Sequence, residues 1–252
     1  MYTHRASIFG FGLFVVALAM AMPAGASNPT PMGPSGPTPP SAPPDGMVVL
    51  HDQYNNPGAN SITSQNFEAA NNAFDSFLAD DFVVPAATSW QIEAVEVQGV
   101  YFNGTGPAAS VNVWFYANGT AGGIPNVPVG NPVCQFLNLP PVHLTPPGSF
   151  AVQIPAGCCL ASGTYWMVFQ VNMDFTPFGQ WGWTDRTVQF NNAAAWQNPG
   201  GGFGACPTWN RKLVCIPTAS GPDQVFRLSG TQPCGATPVE PTTWGAIKAI
   251  YP

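Results

Sequence analysis

The sequence predicts an all-β protein, an antiparallel β-sandwich stapled by disulfides. Three observations predict it. Runs such as "VNVWFYA", "SFAVQIP" and "TYWMVFQVNM" alternate side chains with the period of two that a half-buried strand requires. Clusters of Gly, Pro and Asn, among them "ANGTAGGIPNVPVGNP" and "NPGGGFG", separate these runs with no strand–helix–strand rhythm. Six cysteines follow an apolar leader, an even number suited to pairing in an oxidising compartment.

The leader comes first in chain order. His4 and Arg5 precede an apolar run from Ile8 to about Met22, and Ala24, Gly25 and Ala26 then give a small-x-small pattern before Ser27. This is the form of a secretory signal peptide over residues 1–26, with no membrane span expected after its cleavage. Residues 27–46 follow. Eight of these twenty are proline, which implies an extended spacer of polyproline character. Residues 47–231 have the length of one domain, and 232–252 form a C-terminal tail.

Within the domain, "SQNFEAANNAFDSF" spaces Phe67, Ala70, Phe74 and Phe77 at near-helical intervals, but Asn71 and Asn72 weaken the pattern. A short helix or an irregular arm is expected there. "WQIEAVEVQGVYF" alternates with a phase change near Ala94 and another near Gly99, as a bulge produces. In "VNVWFYA", Val111, Val113 and Phe115 share one face, and Asn112, Trp114 and Tyr116 the other. Phe150, Val152 and Ile154 share a face of the next run. Tyr165, Met167, Phe169 and Val171 then oppose Trp166, Val168, Gln170 and Asn172. In "DQVFRLSG", Gln224, Phe226 and Leu228 oppose Val225 and Arg227.

Six cysteines allow fifteen pairings. Cys206 and Cys215 bracket a short loop, which makes them natural partners. Pairing Cys134 with Cys158 is favoured next and leaves Cys159 with Cys234. No pair has the close spacing of a zinc site, and histidines are scarce.

The ordered set "ADDFVVP", "VYFNGTGP", "SGTYWMVFQ", "QWGWTDRT" and "AAWQNPGGGFG" resembles a domain found in secreted bacterial proteins. The resemblance runs from about Asp52 to Thr231. It implies a β-sandwich of jelly-roll or lectin-like type and carries no settled activity. The end, "PTTWGAIKAIYP", is similar to short W-G-x-I-K-x-x-Y tails that close some exported bacterial proteins. Trp244, Ile247, Ile250 and Tyr251 fall roughly on one helical face there.

Charge narrows the function. Only 7% of the 252 residues are charged and the net charge is -6; ordinary soluble domains carry roughly 25%. Asn, Gln, Ser and Thr must therefore solvate the surface. Arg186, Arg211, Lys212, Arg227 and Lys248 form no basic stripe, which argues against nucleic acid or an anionic membrane as partner.

No catalytic motif is present. Asp80 with Asp81, Glu93 with Glu96, and Asp174 with Asp185 are the carboxylate pairs that a glycosidase would require. Calcium is the one cofactor for which the sequence offers a place. Asp80 and Asp81 at a strand start can present carboxylates to it, with neighbouring carbonyls completing the oxygen shell. For a sugar, Trp181 and Trp183 stand on one strand face as either core slab or platform. Trp196 and Trp209 lie in loops, and Asp185 and Asn198 add polar rims. The expectation is a secreted binding or adhesion module for a polysaccharide or cell-surface glycan. The rival readings are a structural surface protein attached through its tail, and a glycan-active hydrolase.

Overall fold

A computed structural model of the chain describes Pro43 and residues 46–235. The expected signal peptide, most of the proline-rich spacer, and the tail from residue 236 with Trp244, Ile247, Ile250 and Tyr251 lie outside the described residues. The rest is an all-β antiparallel sandwich with three disulfides.

Fourteen strands follow in order: β1 (Val48–Asp52), β2 (Pro57–Thr63), β3 (Gln65–Asn66), β4 (Phe77–Val97), β5 (Gly99–Phe102), β6 (Ser110–Ala121), β7 (Ile124–Leu139), β8 (Val142–Leu144), β9 (Ser149–Asn172), β10 (Gln180–Arg186), β11 (Ala195–Gln197), β12 (Asn210–Arg211), β13 (Asp223–Gln224) and β14 (Phe226–Thr231). The larger sheet runs β1-β14-β4-β9-β6-β7, with β3, β8, β11 and β12 attached. The smaller runs β13-β10-β2, with β5 on the other part of β10. Every pairing is antiparallel except β3 with β9. The segment predicted as a short helix or arm is a single 3₁₀ stretch, Ala69–Phe74, as the two asparagines foreshadow.

The long β4–β9 ladder folds over on itself. Its register breaks between Val84 and Ser89, where Pro85, Ala86 and Ala87 are exposed. Proline removes a ladder donor and belongs at such a bend. Phe150 and Phe169, near opposite ends of β9, consequently stack with ring centroids 6.2 Å apart. Phe82 and Trp90 meet across the same bend at 6.1 Å. Between the folded halves and the smaller sheet lies the main core, which takes the alternation-predicted residues Val111, Val113, Phe115, Phe150, Val152, Met167, Phe169 and Val171.

Both predicted phase changes have structural counterparts. Trp90 and Ile92 face the core, and so do Val95 and Val97, because the register shifts between Ile92 and Ala94. At Gln98 the chain leaves the larger sheet and enters the smaller. Gly99 follows because a Cβ there would come within 2.5 Å of Trp181 Nε1. The disulfides are Cys134–Cys158, Cys159–Cys234 and Cys206–Cys215, the favoured set. The second fastens the chain beyond β14 to the sandwich.

Candidate functional site

The tryptophan pair of "QWGW" is core. Trp181 and Trp183 are fully buried against Phe150, Phe169 and Phe226. Their indole N–H groups donate to Gly148 O at 2.6 Å and Val225 O at 2.9 Å. Trp196 is buried too, donating to Thr63 O at 3.0 Å and packing on Phe203. A large ring with its polar edge satisfied gains most from complete burial. These three therefore leave the ligand set.

Asp185 leaves it as well, being fully buried in an ion pair with Lys212 at 2.6 Å. Asn198 is a buried brace. Its Nδ2 donates to Ala73 O and Asp75 O, each at 2.8 Å, and its Oδ1 accepts from Phe203 N. Of the predicted ligand residues, only Trp209 keeps a half-exposed ring.

The Asp80–Asp81 pair does not gather oxygen for calcium. Asp80 Oδ2 accepts from Gln53 Nε2 and Gln224 N, both at 2.7 Å, and its Oδ1 from Asp81 N at 2.9 Å. Asp81 accepts from Asn191 Nδ2 and from the backbone and side chain of Asn192. Both carboxylates meet N–H donors, whereas calcium requires oxygen neighbours. Among the described residues no group of three or more His, Cys, Asp or Glu is placed to hold a metal ion. Burial pushes the Asp81 carboxyl up to about 6. Asp80 is also raised, by burial first and then by the neighbouring charges of Asp223 and Asp81.

Half-exposed aromatic rings and side-chain amides gather on a different surface. On the face of the larger sheet opposite the core, β6 and β9 run side by side. Asn112 stands opposite Gln170, Trp114 opposite Val168, and Tyr116 opposite Trp166. Buried Trp166 centres a second apolar cluster with Ala79, Val127, Val168 and Ala195. Phe77, Trp114, Tyr116 and Trp209 pack around that cluster with part of each ring exposed. Phe77 meets Trp114 edge-on at 5.9 Å. Trp166 Nε1 donates to Asn118 Oδ1 at 2.9 Å, and the Arg211 guanidinium lies 5.9 Å from its ring centroid. Arg211 also ties Ala193 O to Pro125 O, closing this end of the face.

Along the same strands toward the other end, the aromatic strip gives way to amides. Asn112 Nδ2 donates to Gln170 Oε1 at 3.2 Å and to Asn172 Oδ1 at 2.9 Å. Asn172 Nδ2 donates to Ser110 Oγ, Asn112 Oδ1 and Asn138 Oδ1. Asn66 Nδ2 donates to Asn172 Oδ1 at 2.9 Å. The row is cross-linked and neutral: buried Asn112 and Gln170 fix half-exposed Asn172, and Asn66 and Asn138 are its exposed members.

The row ends at a cavity of about 400 Å³ lined by Asn66, Phe67, Pro107, Ala108, Ala109, Asn172, Met173, Asp174 and Phe178. From Trp114 to Ser110, beside Asn172, is four residues of β6, a distance of about 13 Å at strand rise. Strip, amide row and cavity thus lie in one line. Sequence alternation put Asn112, Trp114, Tyr116, Gln170 and Asn172 on the faces opposite the core residues. That parity was the available signal for this surface. Comparison of the chain with family models, curated proteins and solved structures gives no match.

Proposed function

We propose that the protein is an exported carbohydrate-binding module whose site is the outer face of the larger sheet. The observation that carries this reading is the alignment of half-exposed Phe77, Trp114 and Tyr116 with the solvent-facing amides of Asn66, Asn138 and Asn172, which buried Asn112 and Gln170 brace from beneath. A sugar ring offers an apolar face of C–H groups and a rim of hydroxyls. Aromatic rings meet the first, and amides meet the second as both donor and acceptor. The low charge of the chain suits a neutral ligand. Three disulfides and the leader support action outside the cell.

The test is fluorescence titration of the mature protein with neutral polysaccharides. Binding should perturb the indole emission, and Trp114→Ala should weaken it about tenfold or more, which is about 1.4 kcal/mol. Unchanged affinity in a folded Trp114→Ala protein, or no response to any neutral glycan, overturns the reading.

A further inference from the structure

The cavity at the end of the amide row differs chemically from the strip. Its floor is carbon: Phe67, Ala108 and Met173 are buried core residues. Pro107 and Phe178 form exposed walls. Asn66 and Asn172 contribute amides, no lysine or arginine lines it, and Asp174 supplies the single charge.

A plain hexose fits this composition poorly. Hydroxyls pressed onto the Phe67–Met173 floor would lose water without gaining a partner. The matching ligand has a hydroxylated body for the face and an apolar end reached through an amide. An acetamido group has that form. Its methyl suits the carbon floor, its carbonyl needs an N–H, and its own N–H needs an oxygen. Asn66 supplies both complements. One Nδ2 hydrogen is used on Asn172, leaving the second, and its Oδ1 accepts no hydrogen bond from the described residues. The Asp174 carboxylate is a further acceptor close by. A volume of about 400 Å³ exceeds one acetamido group, so part of the ring that bears it enters too.

We infer that this cavity is the acyl subsite for a glycan containing N-acetylated amino sugars, an inference that rests on the outer face being the sugar-binding surface. The aromatic strip then holds neighbouring rings of the same chain.

Calorimetric titration of the mature full-length protein with two soluble oligosaccharide series tests this. The series share length and β-linkage, one built of N-acetylglucosamine and one of glucose. The acetylated series should bind about tenfold more tightly. Ala109→Trp places a bulky ring at the exposed rim of the cavity, away from the core. It should erase that preference while leaving the glucose series unaffected. Trp114→Ala should weaken both series. Equal affinity for the two series, or a preference that survives Ala109→Trp, overturns the acyl subsite. Equal affinity in the parent protein, with glucose binding that still depends on Trp114, would overturn the acyl subsite alone and leave the sugar-binding face standing. Failure of both series together with the whole glycan panel removes both.

Discussion

Lys212 shows how a single buried charge is made tolerable. Its ammonium has three hydrogens and three acceptors: Asp185 Oδ1 at 2.6 Å, Asp223 O at 3.0 Å and Gln224 Oε1 at 3.2 Å. The second oxygen of Asp185 takes Ser220 N at 2.7 Å and Ser220 Oγ at 3.1 Å. Complete satisfaction offsets the desolvation of both ions. Removing one partner strands the other. Lys212→Met should therefore cost about 3–5 kcal/mol, read from the denaturant midpoint, while Lys212→Met with Asp185→Leu should recover much of the loss. A single variant as stable as the parent would show that the pair is not isolated from water. The same logic explains the tryptophans. Trp181 and Trp183 each bury an indole whose N–H has a backbone acceptor, so nothing is left to offer a ligand.

At the level of elements, the strands and their parity could be read from the sequence because alternation is local. Val111, Val113 and Phe115 share the core face as the pattern requires, and Trp114 and Tyr116 oppose them. Which rings end up covered was not readable, because that depends on pairing across long separations. Trp181 and Trp183 share a face as expected, but β10 is buried along its whole length between β2, β5 and β13. The fold in the β4–β9 ladder brings Phe150 to Phe169, and nothing local to either residue announces that contact. The disulfides were easier, since a short loop limits partners. Cys206–Cys215 closes the segment that carries Trp209 and Arg211 onto the second cluster. Replacing both cysteines by alanine should lower stability by about 2–3 kcal/mol on the chain-entropy model. Thermal unfolding checks this, and an unchanged midpoint would show that β11–β12 pairing alone holds the loop.

For the molecule as a whole, the buried carboxyls set the response to pH. Burial pushes Asp223 up to about 7 and Asp81 up to about 6, and it raises Asp80, Asp185 and Asp75 as well. The folded state binds these protons more tightly than the unfolded chain does. The contribution of Asp81 and Asp223 to stability is therefore complete below the ordinary aspartate range near 4 and is lost as pH rises through about 6 and 7 respectively. His51 opposes them. Its ring lies among Phe82, Phe190 and Phe226, and burial lowers it to about 4. The unfolded chain protonates that histidine first, so its contribution is lost as pH falls from about 6.5 toward 4. Asp223 and Asp81, with Asp80 raised beside them, outweigh one depressed imidazole, so the sandwich should melt at a higher temperature at pH 5 than at pH 8. His51→Phe, which keeps the aromatic contacts and removes the opposing group, should widen that difference. Scanning calorimetry across this range decides it. A melting temperature that falls steadily from pH 8 to pH 5 would mean that the Asp80, Asp81 and Asp223 carboxyls are held as anions by their N–H donors against the cost of burial.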